Sequence, residues 1–403
     1  MICVNNYLIK TFMKNRFLFL VGIGALLAMS SCSKDEENLV VKSCEPATLT
    51  LTIKGSDLST KATVSASGLT AAGESFDNNI NNIVVGVFRS TGEELAGYAD
   101  AIGDVQVSEV TASNPRAFSI PSGKEIKVTA GKRDIIVVAN ASTADITALK
   151  ASTTKDIFLK KVLVLADKNQ DKDQLLMTGV KENITVNKGT NTISDFVVTR
   201  LVGRVQLVSL KSSFKDSYAT AVLDVDKIFL HNALFNYPVD PSLTNPYTKS
   251  FYTGWDAAPT PYDETYNENL KDVTNYSLTS NPATSYLTAN HYFYTFPNGV
   301  SDFSKATKLV ISGMFDPDGT AGPIDSYRVY YPIVVNKDQV YTGTPPVLVP
   351  NTGVGILRNT IYSISAKIFR PGVTDPDKPL DPASISLTIT VTPWNKITQD
   401  NEL

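Results

Sequence analysis

The chain has 403 residues, of which 42% are hydrophobic and 19% are charged, and this composition is that of an ordinary globular protein. Its length is enough for two or three domains that each bury a core. The formal net charge of -3 provides no basic surface for DNA or RNA, so we expect no nucleic-acid partner. Two histidines and three cysteines leave little material for metal sites or catalytic triads, and we predict no catalytic residue, metal or cofactor. The composition therefore favours a binding or structural protein over an enzyme.

The N-terminus predicts a lipoprotein signal peptide over residues 1–31. A positive segment precedes an apolar run at residues 17–29, which is too short to span a bilayer. The run ends in small residues followed by Cys32, and this order predicts cleavage before Cys32 and its acylation, with palmitate as one of the lipids. An ordinary signal peptide followed by a chance cysteine is the alternative. Translation starts at Met1 or at Met13, which begins a more standard signal.

An acidic run, Ser33–Glu37, follows the predicted lipidation site and resembles the surface-export signal of lipoproteins in the phylum Bacteroidota. A solvated tether is the alternative. Without residues 1–31 the chain keeps 34 basic and 40 acidic side chains, a net charge near -6 that suits an exposed surface protein. Cys44 has no intramolecular partner once Cys3 is removed and Cys32 is lipidated, so no disulfide framework is predicted.

From residue 47 onward, short β-branched segments alternate with polar residues and end at Gly, Pro or Asn, as in an all-β sandwich. Only two segments, Ala144–Lys150 and Asp156–Ala166, have a helical pattern. The predicted strands are Ala47–Lys54, Asn82–Arg89, Arg133–Asn140, Thr192–Thr199, Val202–Leu210, Lys308–Phe315, Tyr327–Val335, Ile361–Phe369 and Ile385–Val391.

A domain boundary is predicted at Arg200–Arg204, between two strand-like runs, which gives an N-terminal domain at 62–200 and a C-terminal domain at 201–403. The second domain contains an irregular, tyrosine-rich stretch, Tyr237–His291. This stretch is either an adhesive, subunit-contact or glycan-binding surface or a folded insertion whose aromatic residues pack onto the sandwich. His231 and His291 lack metal-ligand spacing, so we interpret both as packing or surface residues.

Two strands at opposite ends of the chain are near chemical copies. In the first, Leu49, Leu51 and Ile53 face one way and alternate with threonines, as in a half-buried strand. The last strand repeats the pattern at the other end of the chain, and its aliphatic residues also lie on one face: Ile385, Leu387, Ile389 and Val391.

The segments beside these strands predict that the first strand is removed and the last is donated. The loop after the first strand is hydrophilic and offers a trypsin-type bond at Lys61–Ala62, so residues 32–61 would be a lipidated propeptide. The last strand follows a proline-rich, semi-extended linker, Pro371–Pro382, which could carry it away from its own domain.

Loss of the first strand would leave an apolar groove and an unpaired sheet edge. A neighbour's C-terminal strand could fill this groove by strand addition, and the contact would be head-to-tail, so repetition would give an open filament. The alternative is that both segments are ordinary edge strands of separate sandwiches.

Several segments, in their order and spacing, resemble the fimbrillin family of Bacteroidales, the subunits of type V pili, over nearly the whole chain. The resemblance rests on the lipoprotein signal and on Ala47–Lys54, Ile83–Phe88, Arg200–Arg204, Leu357–Ile364 and Ile389–Trp394. It implies two transthyretin-like Greek-key β-sandwich domains, export as an outer-membrane lipoprotein, removal of the first strand by a surface protease, and polymerisation through C-terminal strands. The best-known members are cleaved after an arginine in the loop that follows the first strand. The loop of this chain departs from that pattern, because it offers Lys61 and has no arginine before Arg89.

The resulting functional hypothesis is a structural subunit of a cell-surface fimbria that supports adhesion and biofilm formation. Its expected partners are other copies of itself or related pilins, a maturation protease, the outer membrane through the lipid at Cys32, and a host or bacterial surface ligand. The alternative is a tethered surface lipoprotein that does not polymerise, acting as fimbrial anchor, tip adhesin or glycan-binding protein.

Overall fold

The structure is a computed structural model of the whole chain, and it describes residues 46–55, 79–90, 106–109, 117–120, 122–165, 174–234, 236–243, 271–280, 291–299, 303, 305–320, 325–335, 340–342, 347–349 and 355–393. The predicted lipidation site Cys32 and the predicted cleavage site at Lys61 and Ala62 lie outside these ranges.

Strands dominate the described residues, and this confirms the prediction of an all-β sandwich protein with minor helices. The strands of the first half are β1 Pro46–Gly55, β2 Asn82–Arg89, β3 Gln106–Glu109, β4 Ala117–Ser119, β5 Ile126–Thr129, β6 Gly131–Ala139, β7 Val162–Val164, β8 Met177–Val186 and β9 Gly189–Arg200. The strands of the second half are β10 Gly203–Ser212, β11 Val222–His231, β12 Asn236–Pro238, β13 Lys271–Thr279, β14 His291–Thr295, β15 Lys308–Asp316, β16 Tyr327–Val334, β17 Val340–Thr342, β18 Val347–Val349, β19 Thr360–Ile368 and β20 Ile385–Pro393.

The first half forms a sandwich of two layers. One layer has the strand order β3-β2-β6-β8, and the other contains β9 and β1 with β4 and β5 beyond them. The layers meet where β8 pairs with β9 at Met177–Arg200 and Thr178–Thr199. Alternate residues of both layers point inward and form one apolar core, because successive side chains of a strand face opposite sides.

The second half forms a similar sandwich from the sheets β14-β10-β19-β20 and β13-β11-β15-β16. Its core lies between these sheets and includes Leu207, Ile228, Ile311 and Ile364, all with no exposed surface. The two halves share a topological feature: β1 runs parallel to β9, and β10 runs parallel to β19. In each sandwich the first strand therefore runs parallel to a strand from the end of that half, β9 in the first and β19 in the second.

The two sandwiches are joined by a third apolar cluster, which contains residues of both halves such as Phe88, Phe158, Tyr294 and Phe296. A two-stranded pairing of β7 with β12 also crosses the junction. β9 ends at Arg200 and β10 begins at Gly203, so the connection is only two residues long. The domain boundary at residues 200–204 stays a prediction.

Two short helices, α1 Thr143–Lys150 and α2 Lys155–Leu159, lie between β6 and β7. The Ser142 side chain accepts a hydrogen bond from the backbone of Asp145 and so caps α1; Thr154 caps α2 in the same way. Among the described helices, none is long and apolar enough to cross a membrane.

The helix predicted over Asp156–Ala166 is wrong beyond residue 159. The three apolar residues of β7 instead pair with β12, a partner far away in sequence that local periodicity cannot reveal. The stretch Tyr237–His291 is also less irregular than expected, because it contains most of β12 and all of β13. Most of its aromatic residues, including Trp255, lie outside the described residues. All nine predicted strands fall on strands of the structure.

Candidate functional site

The first strand, β1, lies inside its sheet and not at the edge. One side of β1 pairs in parallel with β9 from Ala47–Gly189 to Gly55–Val198. The other side pairs antiparallel with β5 and then with β4. Among the described residues β4 and β5 pair only with β1. Removal of β1 would therefore leave backbone groups unpaired on both of its sides.

The inward face of β1 consists of Leu49, Leu51 and Ile53, and none of the three has any exposed surface. They pack in the core of the first sandwich between β9 and the opposite layer. Full burial of one such side chain stabilises a protein by about 1.5 to 3 kcal/mol. The three positions thus define three adjacent apolar pockets that would open if β1 left.

The outward face of β1 is threonine-rich and makes weak polar contacts with its neighbours. The Thr52 and Ser119 hydroxyls lie 3.3 Å apart across the β1–β4 pairing, and the Thr48 hydroxyl lies 3.4 Å from that of Thr190 on β9. Small hydroxyl residues at these positions satisfy one another without adding charge. A replacement strand needs the same alternation of aliphatic and hydroxyl side chains.

The last strand, β20, is an edge strand of the second sandwich. It pairs antiparallel with β19 over nine residue pairs, and β19 is its only partner in the described part of the sheet. Ile385 is buried, whereas Leu387 and Ile389 are half-buried and pack at the margin of the core. Ser386, Thr388 and Thr390 are exposed. This strand covers the edge of its own sandwich, and Leu387 and Ile389 keep part of their apolar surface exposed.

The sequences of β1 and β20 match residue by residue. When Leu387 is placed at Leu49, Ile389 falls at Leu51 and Val391 falls at Ile53. In the same register Ser386, Thr388 and Thr390 take the places of Thr48, Thr50 and Thr52. Two inward positions change in size: Ile385 takes the place of the smaller Ala47, which is buried beside Val128 of β5, and Val391 is one methyl group smaller than Ile53.

The linker before β20 is not the free spacer that its prolines suggest. Residues 369–384, called the strap below, leave β19, run along β16 and return to β20. Tyr330 and Val373 exchange two backbone hydrogen bonds of 2.7 and 2.9 Å, so the strap extends the sheet at β16 by one bridge. Leu380 is buried in the core of the second sandwich. These contacts must therefore break, or stay in place while the chain bends beyond them, if β20 is to leave its own domain.

The middle of the strap is bound by two buried side chains. Oδ1 of Asp377 accepts a 2.9 Å hydrogen bond from Nζ of Lys308 and lies 2.7 Å from Nε2 of His231. Because a carboxylate can only accept, Nε2 of His231 carries the proton. Burial raises the pKa of Asp377, but the hydrogen bond from His231 and the charge of Lys308 outweigh it and hold that pKa well below its ordinary value.

Burial has the opposite effect on His231: it is the main reason why the pKa of this histidine is lowered, and the charge of Lys308 lowers that pKa further. His231 has no exposed surface, and His291 is 6% exposed and lies 3.1 Å from the Tyr276 hydroxyl. Both histidines are packed in the interior. Nothing in the residues around Asp377 predicts this role, since an acidic residue between prolines is the usual composition of a solvated loop.

The chain is similar over most of its length to known fimbrial proteins. Residues 47–207 match the family described as the major fimbrial subunit protein (FimA). A putative fimbrium tip subunit, Fim1C, of Parabacteroides distasonis is 27% identical over 304 residues, which cover 71% of this chain and 72% of that protein. A major fimbrium subunit, FimA type-4, of Porphyromonas gingivalis is 25% identical, with 96% of this chain and 99% of that protein covered.

The crystal structure of a putative cell adhesion protein from Parabacteroides distasonis has the same fold. It superposes with a TM-score of 0.59 at 18% identity and covers 87% of this chain and 100% of that one. Together with the matched sequence family and the two fimbrial relatives, this likeness accounts for both sandwiches. The chain thus resembles the family of the major fimbrial subunit protein over residues 47–207, and its similarity to fimbrial subunits supports a structural and not an enzymatic role.

Proposed function

We propose that this fimbrial subunit polymerises by strand exchange, with β1 removed and β20 of a second subunit inserted in its place. The observation that carries the proposal is that an internal strand with a fully buried inward face, β1, has a chemically matched counterpart at a sheet edge, β20. β1 lies between β9 and β4 with β5, and β20 has one strand partner in the described part of the molecule.

The direction of the inserted strand follows from the neighbours of β1. A donor must run parallel to β9 and antiparallel to β4 and β5 to restore both sets of backbone hydrogen bonds. In that direction Leu387, Ile389 and Val391 meet the pockets of Leu49, Leu51 and Ile53. The register cannot shift by one residue, because a shift would turn the hydroxyl face of the donor into the core.

The inserted strand would form a strong joint between subunits. Burial of three to four aliphatic side chains contributes about 1.5 to 3 kcal/mol each, in addition to the ladder hydrogen bonds on both sides. The donor and acceptor surfaces are different parts of the subunit, so the contact is head-to-tail and repetition builds a filament. The partners of this subunit are then other copies of itself or related fimbrial subunits.

Maturation precedes polymerisation in this proposal. The chain is exported as an outer-membrane lipoprotein, acylated at Cys32, and a surface protease cuts at Lys61–Ala62 in the loop after β1. The released subunit begins at Ala62 and contains no cysteine, since all three cysteines precede that residue. It then leaves the membrane for the fimbrium, where it supports adhesion to host or bacterial surfaces and biofilm formation.

A second candidate role is an anchor or tip subunit that keeps β1 and stays tethered or terminal. The similarity to a putative fimbrium tip subunit favours this role. The complete alternation of β20 favours the polymerising role, because a terminal subunit that donates no strand needs no copy of β1. Adhesive or glycan-binding function of residues 237–291 belongs to this second role.

The test compares the N-terminus and the assembly state of protein sheared from the cell surface. We expect filaments in electron micrographs and a chain that starts at Ala62. Monomers that retain a lipid-bearing Cys32 would contradict the polymerising role and support the tethered one. A chain that ends at Asp381 should be exported and cut but should not form filaments, and undiminished filaments from it would contradict strand donation.

A further inference from the structure

We propose that the cluster of Asp377, Lys308 and His231 is the fixed pivot from which β20 is donated to a second copy of this chain. The inference rests on the strand exchange proposed above. In the fimbria, the residues of the strap up to Asp377 stay on their own sandwich, and residues 378–384 swing out with β20.

The first part of the strap is held by backbone and side-chain contacts to β16. Two backbone hydrogen bonds join Val373 to Tyr330, and the Tyr331 hydroxyl donates a 3.1 Å hydrogen bond to the carbonyl of Arg370. Gly372 fits under this strand only because it has no Cβ, which would overlap the carbonyl oxygen of Tyr330. This half of the strap therefore continues the sheet and has no need to move for β20 to leave.

Asp377 is the most costly position of the strap to detach. Lys308 and His231 are completely buried, and the Lys308 ammonium also lies 4.3 Å from the ring centre of Phe303. If Asp377 left, buried Lys308 would lose the carboxylate that it contacts at 2.9 Å and buried His231 would lose the acceptor at 2.7 Å, and breaking a buried ion pair is strongly destabilising. Asp377 itself is 39% exposed, so it can hold the two buried groups from the surface of the molecule.

Beyond Asp377 the contacts of the strap are of a kind that can be exchanged. The turn at Pro382–Ser384 is local, since Asp381 caps it through its own side chain and carbonyl. The bond from Phe369 to the Ser384 carbonyl breaks when β20 leaves β19. Between the pivot and β20, the buried side chains in the described part of the chain include Leu380 and Ser384, at 2% and 4% exposure, and neither carries a charge. Release of this segment therefore leaves no unpaired charge behind.

The position of the pivot sets the reach of the donated strand. Residues 378–385 span about 26 Å when fully extended. The second subunit must therefore place the pocket of Ala47 within this distance of Asp377. A pivot at Arg370 would allow about twice that reach and a looser joint.

Two engineered disulfides test where the chain hinges. The protein that begins at Ala62 has no cysteine, so each pair can be introduced alone. One variant carries Tyr330→Cys with Val373→Cys and closes the strap before the pivot; the other carries Ser365→Cys with Thr388→Cys and closes β20 onto β19. Both are directly paired positions on antiparallel neighbours, which suits disulfide geometry.

We expect the 330–373 disulfide to leave filament formation by the oxidised protein within about twofold of the reduced protein. The 365–388 disulfide should abolish filament formation until a reductant is added. If the 330–373 disulfide blocks assembly reversibly, the strap must peel off before Asp377 and the pivot is wrong. If the 365–388 disulfide permits assembly, β20 is not the donor, and strand exchange as proposed above fails instead.

Hydrogen exchange tests the anchor itself in the unassembled protein. We expect Asp377→Asn to increase exchange of the strap amides by at least about tenfold, because it removes the carboxylate that is ion-paired with buried Lys308. Lys378→Gln, which removes an exposed charge at the next position, should leave this exchange unchanged. If Asp377→Asn does not fold, Lys308→Met with Asp377→Leu removes both charges and should fold with a loosened strap. Unchanged strap exchange in the folded variant would overturn the proposal.

Discussion

The guanidinium of Arg200, at the end of β9, donates a 2.9 Å hydrogen bond to Oδ1 of Asn359, which precedes β19. Arg200 is 1% exposed. Arg358 strengthens the same junction by donating to the carbonyls of Thr199 and Arg200. Since β9 pairs with β1 and β19 pairs with β20, these bonds connect the parts of one subunit that strand exchange, as proposed above, would use to receive and to donate a strand.

This junction predicts that Arg200→Ala destabilises the protein by about 2 to 3 kcal/mol, because it deletes a buried, charge-assisted hydrogen bond and the packing of the side chain. Arg370→Ala is the matched control. Its guanidinium also meets a partner, Asp216, but both side chains are largely exposed, so the loss should be below about 1 kcal/mol. Urea unfolding followed by circular dichroism measures both. Equal losses in the free energy of unfolding would show that the buried contact of Arg200 contributes no more stability than the exposed ion pair of Arg370.

Leu51 of β1 allows the removable strand to be tested without touching the donor. In the uncleaved protein Leu51→Ala should reduce the free energy of unfolding by about 2 to 5 kcal/mol, since it leaves a cavity at a fully buried position. Thr50→Ala on the opposite face should cost less than about 1 kcal/mol. The filaments should have wild-type stability in both cases, because the proposal removes β1 before assembly. Filaments weakened by Leu51→Ala would mean that β1 stays in place.

Leu387 provides the corresponding test of the donor strand. Leu387→Asp should abolish filaments, because the aspartate would have to enter the pocket of Leu49 as a buried charge. Thr388→Asp, whose side chain is exposed and would remain outward, should still assemble. Gel filtration and circular dichroism must first show that both monomers are folded. Assembly of Leu387→Asp at the wild-type level would contradict the register given above.

The alternation of β1 and β20 could be predicted from the sequence because a period of two is a local property. Leu49, Leu51 and Ile53 needed no knowledge of their neighbours to be assigned to one buried face. The anchoring of Asp377 could not be predicted in this way. Lys308 and His231 lie in other strands, and their burial depends on a fold that brings the strap across them. The same reason explains the error after residue 159, where a distant pairing with β12 overrides the local helical pattern.

Gly179 of β8 lies at the point where the two layers of the first sandwich converge. A Cβ at this position would overlap the backbone carbonyl of Val197 on β9, and backbone cannot yield as a side chain can. We expect Gly179→Ala to destabilise the protein by about 1 to 3 kcal/mol in thermal or urea unfolding. Gly299→Ala is the control, since its Cβ meets nothing within 4 Å. The close approach is not a constraint if the two variants unfold alike.

The lowered pKa values of His231 and Asp377 predict that acid weakens the second sandwich. For each group the unfolded state binds the proton more readily than the folded state, so stability falls as pH falls. For His231 the loss begins near the unfolded pKa of about 6.5, and for Asp377 it begins near about 3.9. The groups that act on His231 are Lys308, Asp377 and Asp375. Between pH 7 and pH 5, His231 contributes at most about 1.4 kcal/mol per pH unit to the slope of the free energy of unfolding against pH.

His231→Gln tests the origin of this slope, because glutamine can still donate to Asp377 but does not titrate. Urea unfolding at pH 7, 6 and 5 should show a flatter dependence in His231→Gln than in the wild-type protein. His291→Gln removes the other histidine of the chain, which lies outside the cluster, and the slope should survive it. A wild-type protein equally stable at pH 5 and pH 7 would mean that His231 is not held neutral by its surroundings. Since the same cluster anchors the strap, exchange of the strap amides should rise together with this loss of stability.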